Sequence, residues 1–138
     1  MTGTDADNKR IVSEVIEKAL NQGRLEVVAD YFSAGLVEHD PHQAPGEDPI
    51  EAFKAAVTAF RSAFPDSRMV VEDQIAEAGR VATRWRMRGT HLGDFMGIEA
   101  SDRSVEIEGI FFDRLENGRI VETWAQYDLH GLLQQLGG

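Results

Sequence analysis

The 138-residue chain contains no cysteine. Disulfides, thiolate nucleophiles and cysteine-liganded zinc are therefore excluded, and a reducing cytoplasm is the expected location. Basic residues are scarce: 14 Lys and Arg stand against 24 Asp and Glu, a formal net charge of −10. That balance argues against a broad basic surface for nucleic-acid phosphates, while leaving room for a local arginine cluster to attract a small anion. No apolar run approaches the roughly 20 residues needed to cross a bilayer, so no membrane partner is expected. The opening segment from Met1 to Arg10 is polar and lacks the apolar centre of an export signal.

What is present is ordinary globular material, 42% hydrophobic and 28% charged. The length predicts one domain over 1–138, with about residues 1–6 flexible. A chain of about 150 residues buries roughly 68–70% of its unfolded surface, enough for one core with a modest cavity.

Helical spacing of Ile11, Val12, Val15, Ile16, Ala19 and Leu20 predicts a helix from about Asp7 to Gln22, stopped by Gly23. Leu25, Val28, Ala29 and Phe32 repeat the pattern, and Ser33-Ala34-Gly35 breaks it. A short extended stretch, Leu36 to Asp40, leads into a proline- and glycine-rich loop. Asp48-Pro49-Ile50-Glu51 is a strong helix start, with Asp48 as cap and Pro49 in the first turn. The stripe Ile50, Phe53, Val57, Phe60 and Phe64 follows and ends at Pro65. Core packing is its simplest use, with a pocket wall open to a phenylalanine such as Phe60.

From Arg68 the period becomes two. Strands are expected near 68–77, 80–91, 104–115 and 119–128, with turns at Ala78-Gly79 and Asn117-Gly118. The tail from Leu129 to Leu136 reads as a short turn or helix. Helices first and an antiparallel meander afterwards indicate an α+β fold.

Four segments, in order along the chain, carry a resemblance: Ala63-Phe64-Pro65-Asp66; Arg88 to Phe95 with Gly97-Ile98; Gly118 to Trp124; and Asp128 with Gly131 to Gly137. Together they resemble the SnoaL-like polyketide cyclases (ester cyclases), a branch of the nuclear transport factor 2-like superfamily. The resemblance implies a cone, with N-terminal helices packed on a curved, mainly antiparallel sheet around a pocket for a small hydrophobic molecule. It further implies a homodimer and no cofactor. It implies a carboxylate on the last strand that serves as general acid and base in an aldol ring closure; the matching residue is Asp128.

Period two puts Trp124, Gln126 and Asp128 on one strand face. There Trp124 can stack on a flat substrate, Gln126 can hold a carbonyl oxygen, and a desolvated Asp128 can move a proton. The other reading of Asp128 is a surface residue capping the turn at Leu129-His130. His39 is the second catalytic candidate, either exchanging protons with Asp128 or fixing its loop by a backbone hydrogen bond. His91 matches the family pattern as a substrate contact, but tying down its glycine-flanked loop is the leading reading. Phe112, in the apolar run with Ile107, Ile110 and Phe111, completes the candidate wall. His39, Asp40 and His42 are too loosely spaced for a metal site, and none is expected. Arg84, Arg86 and Arg88 share one strand face, and with Glu106 and Glu108 they suggest a cross-strand charge ladder.

The leading expectation is a cofactor-independent acid–base enzyme acting on a small carbonyl-bearing hydrophobic molecule by aldol-type cyclisation or isomerisation. A non-catalytic binding or dimerisation module is the alternative. Epoxide hydrolysis by Asp128, Arg84 and Asp113 is a third.

Overall fold

The computed structural model describes residues 3–40 and 48–137. Helix α1 spans Asp5–Val15 and starts earlier than the apolar spacing marks, because Thr4 caps it. The Thr4 hydroxyl accepts from the Asp7 N–H at 3.0 Å, and the Asp7 side chain accepts in return from the Thr4 N–H. The helix then widens into a π-helical turn over Ile16–Asn21. Ile11, Val12, Val15, Ile16 and Ala19 are buried, the face that the helical spacing marks.

A 3-10 turn at Leu25–Val27 and the short helix α2, Val28–Tyr31, lead directly into strand β1, Phe32–His39. Phe32 and the Ser33-Ala34-Gly35 break therefore belong to a strand, not to the end of a helix. The reason is an irregular register: Phe32 pairs with Ile120, yet Val37 already pairs with Glu122. The intervening residues bulge out of the ladder, and local spacing carries no trace of such long-range pairing.

Helix α3 covers Pro49–Ala63, with the Asp48 carboxylate accepting from the Ile50 N–H at 3.2 Å. Strands β2 (Arg68–Glu77), β3 (Arg80–Thr90), β4 (Ser104–Glu116) and β5 (Arg119–Tyr127) follow, and α4 (Leu129–Gln135) closes the described chain. The two hairpin turns hold Ala78-Gly79 and Asn117-Gly118 at positive φ, the backbone that suits two-residue connections.

The sheet order is β1-β5-β4-β3-β2, with β1 parallel to β5 and every other pair antiparallel. One face carries the helices. The other carries the charge ladder: Arg86 reaches Glu72 at 3.2 Å, Glu106 at 3.0 Å and Glu108 at 3.0 Å, while Arg88 reaches Glu106 at 3.4 Å. No helix among the described residues is long and apolar enough to cross a membrane.

Candidate active site

Between the helices and the inner face of the sheet lies a cavity of about 220 Å³. Its walls are mostly apolar: Val12, Val15 and Leu20 from the first helical segment, Phe53, Val57 and Phe60 from α3. The polar groups come from the sheet, and the register arranges them in rows. In the first row Glu38 on β1 stands opposite Thr123 on β5, and Thr123 stands opposite Asp113 on β4. The next row holds Ala125 opposite Phe111, and a third holds Tyr127, Gly109 and Trp85 on β5, β4 and β3. Glu38, Asp40, Asp113, Thr123 and Tyr127 all line the cavity.

Asp113 is 4% exposed. Burial pushes its carboxyl up to about 7, and the Thr123 hydroxyl, which donates to it, opposes that rise. The Tyr127 phenol is also raised, first by burial and then by the nearby Asp40 and Glu38 carboxylates; it donates its hydrogen bond to Asp40. The cavity thus offers a carboxyl that exchanges its proton near neutrality and a phenol that stays protonated.

The expected trio of Trp124, Gln126 and Asp128 is placed differently. Trp124 and Gln126 do share a face, but it is the outer one; Thr123, Ala125 and Tyr127 point into the cavity. The cause is a single extra residue. Ile120, buried on the inner face, pairs with Leu115, whereas Glu122 pairs with Arg114, so Val121 bulges and reverses the alternation beyond it. Asp128 follows the strand, is exposed, and caps α4 by accepting from the Gly131 N–H at 2.8 Å.

His39 also lies on the outer face. It stacks on Trp124 with ring centroids 4.8 Å apart and 12° between planes, and its Nε2 lies 2.8 Å from Glu122 Oε2. Asp128 and His39 therefore hold different partners and are not brought together as a proton-exchanging pair. Phe112, 38% exposed, meets Trp124 edge to face at 5.5 Å, outside the cavity. His91 is fully buried behind the cavity wall. The Ser101 N–H donates to its Nδ1 at 3.2 Å, which ties down the loop between β3 and β4. Of the expected wall residues, Phe60 lines the cavity. Arg84 faces solvent and pairs with Asp73 at 2.9 Å, so Arg84 and Asp113 lie on opposite faces and the hydrolase trio does not assemble. His42 falls outside the described residues; among those described, no three His, Asp or Glu side chains group as metal ligands.

Sequence reasoning named Asp113 without placing it, and passed over Glu38, Asp40, Thr123 and Tyr127 as site residues. A signal for Asp113 exists: on β4 it shares its alternation with Val105, Ile107, Phe111 and Leu115, an acid at an apolar position.

The family model for SnoaL-like polyketide cyclases matches residues 10–136. The chain is 31% identical over 134 residues to an aklanonic acid methyl ester cyclase of Streptomyces peucetius, covering 92% of this chain and 88% of that one. It is 30% identical over 125 residues to the nogalonic acid methyl ester cyclase of Streptomyces nogalater, covering 86% and 90%. Among solved structures, IdmH of Streptomyces antibioticus superposes with a TM-score of 0.82 at 31% identity, over 95% of this chain and 99% of that one. By sequence over nearly its whole length, and by a fold that agrees, the chain belongs to the SnoaL-like polyketide cyclase family.

Proposed function

We propose that this protein closes a carbon ring in a small carbonyl-bearing polyketide by an intramolecular aldol reaction, without a cofactor, and that Asp113 carries the proton. The observation that supports this most is a nearly inaccessible carboxyl, poised at about 7, in the wall of an apolar cavity. A general base works best when its pKa lies near the operating pH. The ionised Asp113 removes a proton from a carbon beside a carbonyl. The resulting enolate carbon attacks a second carbonyl carbon of the same molecule, forming the new bond. The alkoxide left behind takes the proton back from Asp113. Thr123 holds the carboxylate in place through its hydroxyl, and the apolar walls keep water from quenching the enolate. The cavity is smaller than the about 300–1,000 Å³ usual for drug-sized ligands, which favours a compact substrate or a partly protruding one.

The named relatives suggest aklanonic acid methyl ester as the first compound to try. Aldol closure leaves the mass unchanged, so product is followed by chromatographic retention and absorbance. Asp113→Asn should lower turnover by about 10²–10⁴ while the protein still binds substrate. Asp128 is the rival carrier at the cavity rim, next to Tyr127 and Leu129, which line it. Loss of turnover in Asp128→Asn, with Asp113→Asn active, would move the chemistry to that rim. Binding without conversion by the wild type, across a panel of such esters, would make the protein a ligand-binding module instead.

Homodimerisation through the outer sheet face is part of the same reading. Ile110 and Val37 lie exposed there beside Phe112, and sedimentation velocity measures the assembly directly.

A further inference from the structure

Trp85 sits in the third row of the sheet, opposite Gly109, and its indole fills the space a side chain would need there. A Cβ built on Gly109 would lie 2.2 Å from Trp85 Cζ2 and 2.7 Å from Cε2. The glycine therefore lets the ring spread from β3 across β4 in the direction of Tyr127, the next residue of that row. The ring is 3% exposed, packs on Phe111 at 5.3 Å and lines the cavity. Its Nε1–H is buried and has no hydrogen-bond partner among the described residues.

A tryptophan N–H that is buried ordinarily finds an acceptor, and leaving one unpaired carries a desolvation cost. Asn8 and His91 also hold unpartnered atoms, but neither lines the cavity. Trp85 alone of the three puts its orphan donor on a residue that faces the space where a ligand would sit. Glu38 and Asp113 place carboxylate acceptors in the first row, and Asp40 takes the Tyr127 hydroxyl, so the Trp85 N–H in the third row is a donor set apart from the Asp113 end of the cavity.

We propose that the Trp85 Nε1–H anchors the ligand by donating a hydrogen bond to one of its carbonyl oxygens. This rests on the reading of the cavity as a ligand site. On β4, Gly109 precedes Asp113 by four residues, about 13 Å along the strand at the usual rise. A ligand held at Trp85 lies along the strands with its far end at Asp113. The anchor therefore selects an extended, flat, carbonyl-bearing molecule and fixes which of its carbons meets the carboxylate. Trp85 is a binding and positioning residue; it moves no proton.

The test uses a matched pair of probes, fluorenone and fluorene, which share a flat three-ring frame and differ by one carbonyl. Affinities of both are measured for the wild type and for Trp85→Phe by calorimetry. Any loss of packing in the variant affects both probes, so it cancels in the ratio of affinities. The ketone-to-hydrocarbon ratio should fall about five- to tenfold in Trp85→Phe, the size of one net hydrogen bond. A ratio that changes less than twofold overturns the anchor, as does failure of fluorenone to bind the wild type. If Trp85→Phe does not fold, the indole N–H resonances of the wild type give the same answer, with Trp124→Phe identifying the second signal. Fluorenone should move the Trp85 resonance downfield and fluorene should not; equal shifts overturn the proposal. Asp113→Asn should keep the wild-type ratio. An intact ratio there, with turnover lost, separates the anchor from the proton carrier, so that either role can fail without the other.

Discussion

Asp113 and Thr123 face each other across the β4–β5 ladder, and the threonine hydroxyl donates to a carboxyl that is otherwise walled in by apolar side chains. The pair sets two opposing tendencies on one group. Burial favours the neutral acid, and the hydrogen bond favours the carboxylate. Burial wins, which leaves the carboxyl at about 7.

That balance makes stability depend on pH in a definite sense. The native state binds the Asp113 proton more tightly than the unfolded chain, whose carboxyl titrates near 3.8. Raising the pH from 4 to 7 therefore erodes stability, and above 7 the loss levels off at no more than about 4 kcal/mol. Asp113→Asn lacks this ionisation. Urea unfolding at pH 8 should find the variant more stable than the wild type, with the difference vanishing as the pH falls to 4. A difference independent of pH would contradict the burial of the charge.

Thr123→Val keeps the side-chain shape and removes the donor. With nothing left to favour the carboxylate, the proton on Asp113 is held more tightly. The rising limb of the kcat/KM profile should move to higher pH by about one unit. A purely structural role would lower the rate and leave the midpoint where it was.

Gly109→Ala places a methyl group against the Trp85 indole, and the new Cβ also lies 2.8 Å from the Gln126 carbonyl oxygen. The backbone cannot retreat far from a central strand, so the indole must move. Overpacking of this kind costs about 1–3 kcal/mol. Chemical denaturation measures that loss, and tryptophan fluorescence reports the displacement of the ring.

How much of this was legible beforehand depended on the range of the contacts involved. The face of α1, the Asp48-Pro49 start of α3 and the Asn117-Gly118 hairpin rest on neighbours a few residues apart, and local spacing found them. The orientation of β5 did not survive the same treatment. One bulged residue, Val121, turns Trp124 outward and Thr123 inward, and nothing in the local pattern marks that bulge. Glu38 reaches the cavity only because β1 joins the far edge of the sheet in parallel with β5, a pairing some 85 residues apart in sequence (Glu38 with Thr123). The buried cavity carboxyl, Asp113, was obscured for another reason. Phe111 and Phe112 read as one apolar run, although they face opposite sides of the sheet and only Phe111 shares the cavity with Asp113.

The π-helical turn gives a further prediction. It presents Asn21 to the edge strand β2, where the side chain donates to the Met69 carbonyl at 2.9 Å and accepts from the Met69 N–H at 2.7 Å. Asn21→Ala leaves both backbone groups unpaired at the cavity wall. A loss of about 1–3 kcal/mol is expected, with faster hydrogen exchange at Met69 in the variant.

The proton-carrier role requires a carboxyl that titrates near neutrality inside the folded protein. The most direct measurement is a carbon-13 NMR titration of the aspartate side-chain carboxyls, with Asp113 assigned from the signal missing in Asp113→Asn. A midpoint near 7 for that signal is the predicted result. A midpoint near 4, the value of an aspartate in water, would contradict it and remove the base from the proposed reaction.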